Sequence, residues 1–170
     1  MRRAAAAALL AAAAALPGAA AADACGPERT FLSCRVEDGR ALAVRFDGCH
    51  ARYAFGDFAA PELALERPLG EVGFAPWPGV GRSIWEEATF ANGDVRYAVH
   101  GGHDRMAAAG PGGDAAAFGG VEVRRGEAVL ARLDCAAGTV AFDAGGGLFE
   151  AKSAAGERFD RETRSWVPAR

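Results

Sequence analysis

Between Pro76 and Asp104 the chain gathers the side chains best equipped for chemistry: Trp77, Arg82, Trp85, Glu86, Glu87, His100, His103 and Asp104. Adjacent carboxylates facing a histidine are the parts of acid–base hydrolysis, so Glu86 or Glu87 with His100 form one candidate catalytic set. A carboxylate turned toward a core would hold its proton to higher pH; the alternative for Glu86 is a place at the rim or an ion pair with Arg82. His100, His103 and Asp104, with Glu87 nearby, offer imidazole and carboxylate donors to a zinc-type metal. That spacing lacks the helical H-E-x-x-H frame, so no resident metal or other cofactor is expected. The most coherent set is Trp77, Arg82, Trp85, Glu87 and His100. A proline-rich loop carrying an aromatic residue beside a Trp/His strand face has the make-up of a binding surface. Trp77 could instead fold back over one end of the core. No serine lies in a G-x-S-x-G elbow, and the glycine clusters at 110–113 and 145–147 lack a phosphate-loop context.

The element that must position these residues is a hairpin. Asn92-Gly93 predicts a type I′ turn, which sets Phe90 against Val95, Ala88 against Tyr97 and Glu86 against Val99. The other face then carries Thr89 against Arg96, Glu87 against Ala98 and Trp85 against His100. Glu86 closes an apolar row, while Trp85, Glu87, Arg96 and His100 are presented.

Alternation predicts three strands before it, Thr30–Glu37, Arg40–Phe46 and Cys49–Phe55. A three-residue loop at Glu37-Asp38-Gly39 pairs Cys34 with Leu42, and a two-residue loop at Asp47-Gly48 pairs Phe46 with Cys49; His50 reads as an ordinary surface residue. Short strands at Glu62–Glu66 and Glu71–Phe74 are confined to an edge by Pro61 and Pro68, and Glu62, Glu66 and Glu71 read as a solvated edge. The segment 105–119 is poor in large apolar residues and reads as a mobile loop. Gly120–Arg125 and Ala128–Cys135 form a further hairpin, with Val129, Ala131 and Leu133 toward the core and Leu130 on a second covered face. Leu148–Ala155 is a brief helix stopped by Gly156, and Glu157–Val167 closes the chain on Phe159 and Trp166. The whole predicts an all-β, mainly antiparallel domain, sandwich or small barrel, with one short helix near the C-terminus.

Met1-Arg2-Arg3 followed by an Ala/Leu run to Leu16 and Pro17-Gly18 reads as a secretory signal over residues 1–24. The run is shorter than the ~18 apolar residues of a spanning helix. A lipid anchor on Cys25 is disfavoured by Asp23. Residues 25–170 then make a single β-rich domain, periplasmic or secreted, with no transmembrane segment. The formal charge of −3, about −5 without Arg2 and Arg3, gives no electrostatic footprint for nucleic acid. Cys25, Cys34, Cys49 and Cys135 read as two disulfides in an oxidising compartment. Of three connectivities, Cys25–Cys34 with Cys49–Cys135 staples the N-terminus to the first strand and ties the early sheet to a late one. These features predict a non-catalytic binding or interaction domain for a protein or small-molecule ligand, with a metal-assisted or carboxylate/His hydrolase as the alternative.

The string Phe31-Leu32-Ser33-Cys34, Tyr53-Ala54-Phe55-Gly56, Pro61-Glu62-Leu63, the run Trp77–Glu86 and Phe90-Ala91-Asn92-Gly93-Asp94 resembles a group of small exported bacterial proteins of unknown function. That resemblance implies a secreted single domain and no particular activity. The opening meander around Cys34, Gly39 and Val44 is similar to the periplasmic inhibitors of C-type lysozyme. Those insert a serine-rich loop and a lysine into the lysozyme cleft; this chain has Lys152 as its only lysine and no S-x-S-x-A loop.

Overall fold

A computed structural model describes residues 25–106, 117–143 and 145–169. Residues 1–24, where a secretory signal is expected, and the centre of the 105–119 segment lie outside these residues. Strands β1 (Arg29–Arg35), β2 (Ala41–Phe46), β3 (His50–Gly56) and β4 (Pro61–Pro68) form a meander, and a 3₁₀ turn (Leu69–Glu71) carries the chain to β5 (Gly73–Ala75). The hairpins β6 (Ser83–Asn92)/β7 (Val95–Asp104) and β8 (Ala117–Arg125)/β9 (Ala128–Asp134) follow. After β10 (Ala141–Phe142) come α1 (Gly147–Ala154) and a ribbon of β11 (Glu157–Asp160) and β12 (Ser165–Pro168).

The strands assemble into two five-stranded antiparallel sheets, ordered β10-β1-β2-β3-β4 and β5-β6-β7-β8-β9. Each sheet turns its apolar face to the other. Leu32, Val44, Tyr53 and Leu65 from the first sheet share one core with Phe74, Ala88, Phe90, Val99 and Val121 from the second. Ring contacts cross the interface, Tyr53 lying 5.8 Å from Phe90 and 5.4 Å from Tyr97. The architecture is an open sandwich rather than a closed barrel. Prolines 61 and 68 bound β4, which is an edge strand as expected, because proline cannot donate to a ladder.

The first turn has the predicted register, with Cys34 opposite Leu42, Leu32 opposite Val44 and Gly39 at φ 91°. A bulge between Thr30 and Leu32 explains why Phe31 breaks the alternation. Fully buried, it packs edge-on against Phe74 and Phe142. The second turn differs from expectation. Phe46 pairs with Ala51 and Leu42 with Phe55, so the loop residues are Gly48 and Cys49. Asp47 causes the shift: its carboxylate accepts from the backbone N–H groups of Cys49 and His50, both at 2.8 Å, holding a side-chain-capped turn.

The disulfides also differ from expectation, joining Cys25 to Cys49 and Cys34 to Cys135. Because β2 returns antiparallel along β1, the β2–β3 turn comes back beside Cys25, and Gly48 N–H donates to the Cys25 carbonyl at 2.6 Å. Cys34 lies at the far end of β1, where Val36 bridges Cys135. It is therefore Cys34–Cys135 that ties the first sheet to the end of β9.

In the last strands, β8 begins at Ala117, so residues 117–119 belong to the sheet rather than to a loop. A bulge at Val123/Arg124 leaves Leu130 unpaired, and Leu130 is 52% exposed with Val129 at 41%; neither reaches a covered face. The C-terminal elements form as predicted, α1 ending at Ala154 with Gly156 at φ 89° and Phe159 pairing with Trp166. Their anchor is Lys152. It is 0% exposed, and its ammonium donates to the carbonyls of Leu69 (2.6 Å) and Val72 (3.0 Å). The same ammonium meets the Glu157 carboxylate at 2.7 Å and the Trp166 ring at 5.1 Å. One cation thereby joins the helix, the ribbon and the crossover between sheets.

Candidate functional site

The central hairpin is two ten-residue strands, long enough to present five residues on each face. Its register differs from the expected one by two residues: Asn92 pairs with Val95, Phe90 with Tyr97, Ala88 with Val99 and Glu86 with Gly101. The turn is Gly93-Asp94, and only Gly93 takes positive φ (61°), the pattern of a type II′ turn with glycine first. A two-residue slip keeps every side chain on its face. Phe90, Ala88 and Glu86 point inward, and Trp85, Glu87 and His100 point outward, but Glu87 now stands directly opposite His100 and Trp85 opposite Gly102.

Two rows cross the outer face of the sheet at this level. One runs Ala75, Glu87, His100, Gly120, Asp134, and the other Trp85, Gly102, Phe118. The glycines make the floor. A Cβ on Gly102 would fall 2.5 Å from Phe118 Cζ, so the Phe118 ring lies across that position and still exposes 37% of its surface. The result is an open groove of about 500 Å³ lined by Trp85, Phe118, Glu87 and His100, with Val80, Arg82 and Ser83 along its rim.

The rim is held by charge and backbone. Arg82 Nε donates to both carboxylate oxygens of Asp104 at 2.9 and 2.8 Å. Arg105 donates to the carbonyls of Gly81 and Arg82 and stacks its guanidinium 5.3 Å over the Trp77 ring. Trp77 itself donates to the Val80 carbonyl at 2.9 Å. It therefore belongs to the internal order of its own loop. It neither lines the groove nor covers the core, whereas Arg82, Trp85, Glu87 and His100 of the same expected set are brought together along the groove. Phe118 is the addition. Carrying the alternation of Gly120 and Glu122 back by two residues would have placed it on this face; the alanine- and glycine-rich segment before it hid the strand.

Alternation breaks up the catalytic and metal sets. Glu86 is inside and His100 outside, so these two cannot act on one substrate, although Glu87 and His100 remain neighbours. His103 is inside, on the face of Glu86 and Gly101, while His100 and Asp104 are outside, so the three expected donors do not converge. Where His103 Nδ1 is buried it has no hydrogen-bond partner among the described residues, and its ring lies 5.4 Å from Phe142. Elsewhere Cys25, Asp47, Cys49 and His50 approach one another, but both sulfurs are consumed in a disulfide and Asp47 is engaged by the turn. His50 itself lies opposite Pro68.

Glu86 is buried, with 7% exposure, and its Oε2 has no hydrogen-bond partner among the described residues. Arg82, its expected partner, is taken by Asp104 on the other face. Burial pushes the Glu86 carboxyl up to about 7, and the nearby Asp143 charge adds to the effect. Glu62 and Glu66 lie on the exposed edge strand and pair with Arg40 and Arg52, both at 3.1 Å. Lys152, the chain's single lysine and the residue the inhibitor resemblance singles out, is fully buried.

A second groove, of about 330 Å³, lies on the outer face of the first sheet over Ala43, Ala54 and Ala64, beside Arg45, Arg52 and Phe58. Its charges are satisfied internally: Arg52 pairs with Glu28, Asp47 and Glu66, and Arg45 with Glu28. Among the described residues no helix is long and apolar enough to cross a membrane. No protein-family model, curated protein or solved structure matches this chain.

Proposed function

We propose that this chain is an exported, non-catalytic binding domain, periplasmic or secreted, whose ligand surface is the outer face of the β6–β7 hairpin. The observation that carries the reading is the open groove in which Trp85 and Phe118 flank Gly102 beside the facing pair Glu87 and His100. Aromatic side chains give large contact area at low entropy cost, and a few placed polar groups do the selecting. The antiparallel strands beneath hold these residues on a rigid scaffold, and two disulfides accord with an oxidising compartment.

The test is a fragment library screened by ligand-observed NMR against the wild type and a Trp85→Ala/Phe118→Ala variant. The expected result is a set of hits that compete for one site in the wild type and are lost in the variant, while the two thermal unfolding curves stay alike. Equal hit rates for the two proteins would refute the assignment. Trp77→Ala is the internal comparison, since Trp77 serves its own loop, and it should retain the hits.

A further inference from the structure

The groove's charges are unequally satisfied, and this narrows its ligand. Arg82, the cation on the rim, is held by Asp104 through both carboxylate oxygens. Glu122, two residues further along β8, is shared by Arg124 and Arg132. Glu87 is different. Among the described residues it forms no ion pair, its one hydrogen bond is a long 3.5 Å approach from Thr89 Oγ1, and the charge of Arg124 reaches it only at a distance. One strand beyond Gly120, Asp134 also lacks an ion pair among the described residues. Its Oδ1 would lie 3.3 Å from a Cβ on Gly120, which brings a second carboxylate over the same row.

A carboxylate without a counter-ion beside two aromatic rings in one groove, Trp85 half-buried and Phe118 with 37% of its surface exposed, is the surface that a cation completes: the ring quadrupole is negative on its face, and the carboxylate adds a full charge. Strands about 4.8 Å apart place Trp85 and Phe118 two strands distant across Gly102, over which the Phe118 ring lies, and the open groove of about 500 Å³ above them has room for a bulky head group. Resting on the proposal that this groove is the binding surface, we infer that its ligand presents an organic ammonium group, seated against Trp85 and Phe118 and paired with Glu87. The second groove offers no such complement, because its arginines and carboxylates neutralise one another.

Choline and its neutral carbon isostere 3,3-dimethylbutan-1-ol separate charge from shape. Each is titrated into ¹⁵N-labelled protein, reading the Trp85 indole N–H and the Glu87, His100 and Gly102 amides. The expected result is saturable shifts with choline and binding of the isostere weaker by about tenfold or more. Glu87→Gln should weaken choline by a similar factor and leave the isostere unchanged. Equal binding of the two probes, or choline binding indifferent to Glu87→Gln, overturns the ammonium assignment while the groove stands as a binding surface. Absence of shifts from choline overturns it as well. If the fragment hits above are also independent of Trp85 and Phe118, the groove itself is refuted.

Discussion

Glu86 makes this fold weaker as pH rises toward neutrality. In the unfolded chain its carboxyl ionises from about pH 4.5 upward, whereas in the folded chain burial keeps the proton on to about 7. The unfolded state therefore gains from ionisation first. The penalty is absent below pH 4.5, accumulates between 4.5 and 7, and is complete above 7. A tenfold change in proton affinity corresponds to about 1.4 kcal/mol, so the shift implies a loss of about 3 kcal/mol at pH 8. At 7% exposure the group has little solvent to screen this. For a domain of ordinary stability that is a large fraction of the total.

Replacing Glu86 with Gln keeps the shape and removes the ionisation. Urea unfolding of both proteins, disulfides intact, followed by tryptophan fluorescence at unit steps from pH 4 to pH 9, reads the difference directly. At pH 4 the two should be nearly equally stable. The variant should then pull ahead across the window and level off near 3 kcal/mol more stable above pH 7. A stability difference that stays flat with pH would show that Glu86 ionises normally in the folded protein. One that grows toward acid would reverse the sign of the argument. The groove's ligand binding should be unchanged by this substitution, because Glu86 and Glu87 point to opposite faces.

Lys152→Met should cost about 3–5 kcal/mol in urea unfolding, because it strands the half-buried Glu157 carboxylate and two carbonyls, and adding Glu157→Gln should recover part of the loss; additive losses would refute the pair. Among the disulfides, removing Cys34–Cys135, which closes a 101-residue separation, should cost about 4.7 kcal/mol against about 3.4 for the 24-residue separation of Cys25–Cys49, and the reverse order would contradict the chain-entropy account.

The faces of this sandwich were legible in the sequence, whereas the partners across it were only partly so. At two turns the pairing differs by two residues from the one the sequence predicts, the loop being Gly48-Cys49 in place of Asp47-Gly48 and Gly93-Asp94 in place of Asn92-Gly93. A slip of one would have reversed every side chain and left a charged core, so hydrophobic patterning excludes it strongly. A slip of two leaves the patterning intact, and local chemistry then decides: the Asp47 carboxylate capping two amides in one case, a single positive-φ glycine in the other. Trp85, Glu87 and His100 were thus assigned to the right face while their mutual geometry was not. The neighbour that completes the groove, Phe118, lay hidden because its strand starts inside an alanine- and glycine-rich stretch.

The disulfide connectivity, by contrast, is favoured by strand length and direction. Five strand steps separate Arg29 from Cys34, which is about 17 Å at the rise of an extended chain, and the ends of a disulfide lie within about 7 Å. Once β1 is accepted as a strand with Cys34 near its far end, Cys25 reaches Cys34 only by doubling back over it. The antiparallel return of β2 supplies the alternative, since its far turn lies beside the start of β1 and delivers Cys49 to Cys25. Cys34 is then left for Cys135, and the cross-sheet link follows without further assumption. The same reasoning separates Glu86 from Glu87: consecutive residues on a strand point to opposite faces, so one fills the seam of the sandwich as a proton-holding group and the other is free to meet a ligand.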